Sequence, residues 1–247
     1  MTQFEGVLFD CDGVLVDSEP ITNGVLREVL NESGWALTQA ECMQIFIGKA
    51  VRDERERIEA ETGQPLTEAW MRAFYARRDA RLRAELQPVV GAIDVVMAAH
   101  RHAGGRIACA SGADRPKVVM QIEMAGMEPY FGDRIFSGHD QPRSKPAPDV
   151  YLAAAAHLGV DPARCLVIED TPTGVTAGVA AAHLAMAPAE EITESAAEIR
   201  LAFDGDAAAT HGGACHRTPF HLSRRFITLA RWAADPEAII RARFRRL

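Results

Sequence analysis

The stretch Val7-Leu8-Phe9-Asp10-Cys11-Asp12-Gly13 constrains this chain more than any other. An apolar run stops at Asp10, a second acid follows two residues later, and Gly13 then lets the backbone turn without a Cβ penalty. Residues two apart on an extended chain point the same way, so Asp10 and Asp12 start on one side of a strand's C-terminal end. Ligands of open α/β sheets bind at that edge. Two carboxylates set close together repel, and a divalent cation is the usual remedy. Taken alone, the same string is also an ordinary strand followed by an acidic turn.

The next residues change character. From Asp17 to about Glu85 there are few β-branched runs and many Glu, Arg and Ala. Ile21, Val25, Leu26, Val29 and Leu30 fall on one helical face, with Ser18 as N-cap and Pro20 in the first turn. A capping box formed by Thr38 and Glu41 opens a second helix to Ile45, which Gly48 breaks. Further helices are expected over 51–61 and 66–86, the latter burying Trp70, Phe74 and Leu82. Residues 17–87 thus read as an all-helical insert, with Pro88 as the return hinge. Beyond it, strands around 106–110, 134–136 and 165–168 alternate with helices over 93–104, 115–126, 149–158 and 173–182. That alternation predicts an α/β domain, a doubly wound parallel sheet with helices on both faces, built from 1–16 and 88–247.

Each later strand ends in a residue that a phosphate site would want. Ser111-Gly112 offers a hydroxyl and a glycine amide at a strand-to-helix junction, suited to an oxyanion. Lys145 sits between Ser144 and Pro146-Ala147-Pro148, a lysine on a loop that the prolines stiffen. Glu169-Asp170 closes the run Cys165-Leu166-Val167-Ile168 with paired acids, the hard oxygen donors that Mg²⁺ takes. Each alone is a turn or a solvated charge; in this order they form a constellation.

Asp10-x-Asp12-Gly-Val-Leu-Val-Asp-Ser-Glu19, then Ser111, Lys145 and Glu169-Asp170, each after its own strand, resembles the four motifs of the haloacid dehalogenase-like superfamily. The similarity is to its small-sugar phosphatases and β-phosphoglucomutase relatives. It covers Phe4 to about Ala182, with the helical insert where that family carries its cap. The resemblance implies that Asp10 is a nucleophile forming an aspartyl-phosphate and that Asp12 is the acid–base residue. It implies that Ser111, Gly112 and Lys145 bind phosphate. It also implies a Mg²⁺ ion held by Asp10, the Asp12 backbone carbonyl, Asp170 and Glu169, the last directly or through an intermediary. Lys49 and Arg52 in the insert are candidates for the substrate's polar end, a solvated role being equally open. Asp12 speaks against dehalogenation, which has no alkoxide to protonate. The mutase relatives carry a histidine soon after the first motif, whereas Glu19-Pro20-Ile21-Thr22 has none, which favours hydrolysis. The string from Phe136 to Pro148 is similar to bacterial hydrolases of 6-phosphogluconate and other sugar phosphates. The implied activity is a Mg²⁺-dependent phosphatase for a small phosphorylated metabolite. Its alternatives are a sugar-phosphate mutase and a non-catalytic phosphate-binding protein.

Bulk properties narrow the partners. A net charge of −7 argues against nucleic acid, and no apolar run is long enough for a membrane span. The first residues carry no basic segment and do not read as a signal peptide. Five cysteines, at 11, 42, 109, 165 and 215, show no CxxC spacing and fit a reduced, cytoplasmic protein, a monomer or weak homodimer. After Ala182 the pattern departs from the family. Phe203-Asp-Gly-Asp206 stands where a last short strand is expected, and 211–247 holds eight arginines, no lysine and two acids. That segment reads as a divergent, partly disordered terminus, with a basic binding tail as the other possibility.

Overall fold

The computed structural model describes residues 4–46, 49–186 and 226–228. Its centre is a parallel sheet in the order β3-β2-β1-β4-β5. The strands are β1 (Gly6–Phe9), β2 (Ile107–Ser111), β3 (Ile135–Ser137), β4 (Cys165–Glu169) and β5 (Phe226–Thr228). In β1, β2 and β4 every residue is buried, as expected of parallel strands covered on both faces. Period-two alternation divides their side chains between two apolar layers. Val7, Phe9, Ile107, Cys109, Leu166 and Ile168 face one way, towards α5 (Ala92–His102), α6 (Arg115–Met124) and α7 (Glu128–Phe131). Leu8, Ala108, Ala110, Cys165 and Val167 face the other way, towards α8 (Asp149–Leu158) and α9 (Pro172–Met186). Phe9 meets Phe131 edge-on, ring centroids 5.8 Å apart. The doubly wound sheet expected from the alternation of elements is the fold observed.

Register brings the strand ends together. Phe9 pairs with Cys109 on β2 and with Ile168 on β4, so Asp10 emerges level with Glu169 and beside the end of β2. The chain moves outwards from β1 through β2 to β3, then returns to β1's other side as β4. The centre of the sheet is therefore a topological switch point, where connections leave in opposite directions and open a crevice.

Between β1 and α5 lie α1 (Glu19–Glu32), α2 (Gln39–Phe46), α3 (Arg55–Thr62) and α4 (Glu68–Glu85), with a 3₁₀ turn at Val51–Glu54. They share a separate apolar cluster built on Leu26, Leu30, Phe46, Ile58, Met71 and Phe74. The capping box forms as its spacing predicts: Glu41 N–H donates to Thr38 Oγ1 at 3.3 Å, and Thr38 N–H donates to Glu41 Oε2 at 2.8 Å. Leu82 and Leu86 pack instead with the sheet's layer, so the end of α4 is anchored on the α/β side. The two connecting segments run side by side: Asp17 N–H donates to Gln87 C=O, and Val89 N–H to Leu15 C=O. Gly48 lies outside the described residues.

The structure corrects the sequence reading at Ser18, which makes no side-chain cap for α1; its hydroxyl turns to Asp12. Residues 203–206 lie outside the described residues. The strand that pairs with β4 on its outer side is Phe226–Thr228, from the arginine-rich segment, whose Phe-Ile-Thr run suits an extended chain. The other residues of 211–247 lie outside the described residues. Cys11, Cys42, Cys109 and Cys165 are free and buried, and no described helix is long and apolar enough to cross a membrane.

Candidate active site

Asp10 is the first residue beyond β1 and is buried. Lys145 Nζ donates to Asp10 Oδ1 at 2.7 Å and to Glu169 Oε1 at 2.6 Å, spanning two strand ends with one ammonium. Its other support is the ring face of Tyr151, 4.7 Å away, whose hydroxyl also donates to Glu169 Oε1 at 2.8 Å. Glu169 Oε2 accepts the backbone N–H groups of Asp170 and Thr171 and the Thr171 hydroxyl. Burial raises the Asp10 carboxyl well above the ordinary value; Lys145 opposes this, and Glu169, Asp170 and Asp12 add to it. Burial disfavours charged Lys145, but the carboxyl groups of Asp10 and Glu169 outweigh it and hold its pKa well above the ordinary lysine value.

Asp10, Glu169 and Asp170 offer oxygens that all lie within 4.8 Å of one another. Burial, with Glu169 and Glu19 nearby, pushes the Asp170 carboxyl up to about 7. Its Oδ1 is buried without a hydrogen-bond partner. Two glycines make the acids' close approach possible. A Cβ on Gly13, at φ +76°, would fall 2.1 Å from Asp170 Oδ2, and one on Gly174 would fall 1.6 Å from Glu169 Oε1. Converging oxygens, an unpartnered one among them, and glycines clearing room fit a hard divalent cation.

Asp12 lies on the same crevice but in different company. Its Oδ1 accepts from Lys117 Nζ at 2.8 Å, from Gln121 Nε2 at 2.9 Å and from the Ser18 hydroxyl. Burial works against its charge, yet Lys117 and the three hydrogen bonds outweigh burial and hold its pKa below the ordinary carboxylate value. The environment thus separates the two acids of the first motif, one raised and the other lowered.

A cavity of about 350 Å³ opens over these groups. Asp10, Asp12, Ser111, Gly112, Lys145 and Glu169 form its floor; Asn23, Phe46, Lys49, Phe74 and Tyr75 of the helical insert line it too. Ser111 is buried, and its Oγ accepts from Ala113 N–H at 3.1 Å. Lys49 lines the cavity while pairing with Glu54 at 3.0 Å. Arg52 does not line it; its guanidinium lies 3.6 Å from Glu68 on a half-exposed surface. Asp170 is not a lining residue either; its carboxyl lies against Gly13.

The two halves of the cavity are joined by a buried ion pair. Arg78 of α4 donates to both oxygens of Asp114 at 2.8 and 3.2 Å, while its guanidinium sits 4.5 Å from the Tyr75 ring centroid. Asp114 also caps α6, accepting from Lys117 N–H. Removing the cation leaves a largely buried carboxylate unpaired, so Arg78→Met is expected to cost about 2 kcal/mol in urea denaturation at neutral pH. Burial raises the Asp114 pKa, but Arg78 outweighs it and leaves the group depressed. A depressed carboxylate stabilises fully above its unfolded pKa and loses that contribution as pH falls through its folded pKa. The cost of Arg78→Met should therefore shrink on acidification; an equal cost at neutral and acid pH would refute the pairing.

Sequence reasoning did not find Lys117, Gln121, Tyr151, Arg78 or Asp114. Lys117 and Gln121 stand four apart on α6, a spacing that puts them on one face, and this was the available signal. Charged and amide side chains point by default to solvent, and only the tertiary fold turns this face onto Asp12.

A family model described as haloacid dehalogenase-like hydrolase matches residues 4–182. The 6-phosphogluconate phosphatase of Escherichia coli is 30% identical over 72% of this chain and 80% of its own length. The fructose-1-phosphate phosphatase YqaB of Escherichia coli is 28% identical over 72% of this chain and 93% of its own. Among solved structures, a HAD-family hydrolase from Deinococcus radiodurans with bound phosphate and sodium is 33% identical. It has a TM-score of 0.58 and covers 74% of this chain and 79% of that one. The matched residues span the sheet from β1 to β4, the helical insert and the crevice at the strand ends, and on that extent the chain belongs to the haloacid dehalogenase-like hydrolases.

Proposed function

We propose that this hydrolase is a phosphatase that removes the phosphoryl group from a small polyhydroxylated metabolite through an aspartyl-phosphate on Asp10. The observation that carries the reading is the Asp10 carboxylate itself. It is buried, beside a cavity sized for a sugar phosphate, held by one fixed lysine, and followed two residues later by a second acid on the same cavity whose Oδ1 is tethered by Lys117, Gln121 and Ser18.

Asp10 attacks phosphorus, and the ester oxygen departs with the bonding electrons and takes a proton from Asp12. Water then attacks the aspartyl-phosphate, giving its proton to Asp12, so the acid form is restored and Asp10 is released with inorganic phosphate. Lys145 lies beside Asp10 and offsets charge on the phosphoryl oxygens; Ser111 and Gly112 offer a hydroxyl and a backbone N–H at the end of β2. Asp10, Glu169 and Asp170 would hold Mg²⁺, with the Asp12 carbonyl as the family resemblance implies. Bound there, the ion would let an anionic carboxylate meet an anionic phosphate and would orient an in-line displacement. The helical insert, as a cap with its hinge at 15–17 and 87–89, would close the cavity against water during attack. Lys49, which lines the cavity, would meet the distal end of the substrate on leaving Glu54; Arg52, outside the lining, would have to leave Glu68 to do so.

Phosphate release from a panel of phosphorylated sugars, polyols and sugar acids, led by 6-phosphogluconate and fructose 1-phosphate, tests the reading. Release is expected with Mg²⁺ and is expected to fall at least about 100-fold with chelator. No release by folded, Mg²⁺-supplied protein from any member would sink the proposal, and an isomerised product without free phosphate would replace it with the mutase reading.

A further inference from the structure

We infer that Lys117 and Gln121 of α6 are positioning residues for Asp12, fixing its Oδ1 so that Oδ2 is the oxygen that carries the catalytic proton. The inference rests on the proposed phosphatase chemistry and assigns it two residues outside the four motifs.

All the hydrogen bonds that Asp12's side chain makes among the described residues fall on Oδ1. Their donors are an ammonium, an amide and a hydroxyl, and Lys117, Gln121 and Ser18 are all buried. Three donors facing one oxygen leave no room for a proton there, because an O–H would confront Lys117's N–H groups. A proton on this carboxyl must therefore reside on Oδ2, and Asp12 lies on the cavity wall. The same arrangement suits both proton transfers. When Oδ2 gives its proton to the departing oxygen, the new carboxylate already has a cation 2.8 Å from Oδ1 and needs no rearrangement to be stabilised. When water later attacks the phosphorylated Asp10, Oδ2 takes the proton back.

Lys117 and Gln121 are themselves held. α6 begins at Asp114, whose side chain accepts from Lys117 N–H and is gripped by Arg78 from the helical insert. Gln121 Oε1 lies 3.5 Å from Cys11 Sγ, next to Asp12 in sequence. The pair thus sits on a rigid helix rather than on a loop.

The test exploits the leaving group. A sugar or polyol alkoxide needs a proton to depart, whereas p-nitrophenolate does not. Since kcat/KM reports the steps up to phosphoryl transfer to Asp10, it isolates proton donation from the later hydrolysis. Lys117→Met is expected to lower kcat/KM about 100-fold for the best alkyl phosphate of the panel and less than about threefold for p-nitrophenyl phosphate. Gln121→Met, which removes one neutral donor, should give a smaller drop with the same selectivity. The comparison of two substrates on one preparation cancels any loss of folded protein. Equal losses on both substrates, or no loss on the alkyl phosphate in either variant, would overturn the assignment. Wild-type protein that hydrolyses neither substrate would overturn the phosphatase reading and this inference with it, whereas hydrolysis without leaving-group selectivity would overturn the inference alone.

Discussion

Asp10→Asn is expected to abolish phosphate release, with kcat down by at least about 10⁴-fold, while leaving the metal-free protein as stable as the wild type or more so. The activity loss follows from the lack of any substitute nucleophile. Asp12 is tethered by Lys117, Gln121 and Ser18, and Glu169 has accepted Lys145, Tyr151 and Thr171. The stability follows from electrostatics. Burial together with Glu169, Asp170 and Asp12 makes the Asp10 carboxylate an expensive charge, and only Lys145 offsets it. Asparagine keeps the shape and an oxygen for Lys145 to bond, and it removes one of the converging negative charges. Thermal unfolding in chelator should show an unchanged midpoint or a rise of a few degrees, the size of about 1 kcal/mol. A midpoint lowered by more than about 5 °C would mean that Asp10 holds the fold together rather than waiting for a substrate and a cation.

The same electrostatics explain what could be read from the sequence and what could not. The sheet was legible because fully buried parallel strands are short apolar runs, and Val7–Phe9, Ile107–Ala110 and Cys165–Ile168 are such runs. Strand-end residues were legible because parallel topology sends every C-terminus to one edge, so Asp10, Ser111 and Glu169 had to lie near one another once the strands were placed. Lys145 lies on a loop and was found only through its order among the other motifs. Contacts made by helix faces were not legible. Nothing in the spacing of Lys117 and Gln121 says that they point to Asp12, and Arg78 reads as one of many arginines on an exposed helix although it is buried. Ser18 shows the converse. Its type and position suit an N-cap, and a stronger partner, the Asp12 carboxylate, takes its hydroxyl. The fifth strand at 226–228 escaped because three residues carry no periodicity, and their edge is recognised only when β4 is there to pair with them.

Asp170 gives the second large effect, a stability that depends on pH and on a divalent cation in opposite senses. Burial, then Glu169 and Glu19, lift its carboxyl to about 7, against about 4 in an unfolded chain. A group raised in this way contributes its stability below the unfolded pKa and loses it as pH rises through the folded one. Asp170's contribution to metal-free stability should thus fall by on the order of 3 kcal/mol between pH about 4 and about 8, the partial exposure of the group keeping the loss below the full linkage value. The difference between wild type and an Asp170 variant isolates it from the depressed carboxylates, which act in the opposite sense. A divalent cation binds the ionised form, so it should restore the most stability where the metal-free protein has lost the most. Asp170→Asn removes the titrating group and one proposed ligand together. Its thermal midpoint in chelator should exceed the wild type's at pH about 8 and approach it at pH about 5, with little response to Mg²⁺ at either. Calorimetry of both proteins, at both pH values, with chelator and with Mg²⁺, reads all of this at once. A wild-type midpoint at the higher pH that ignores Mg²⁺ would remove Asp170 from the proposed ligand set. A variant that keeps the wild-type pH profile in chelator would place the strained charge elsewhere in the acidic cluster. If both expectations hold, the strain at this strand end is what the bound cation relieves, and the protein tolerates it because its catalytic state is the one in which the charge is neutralised.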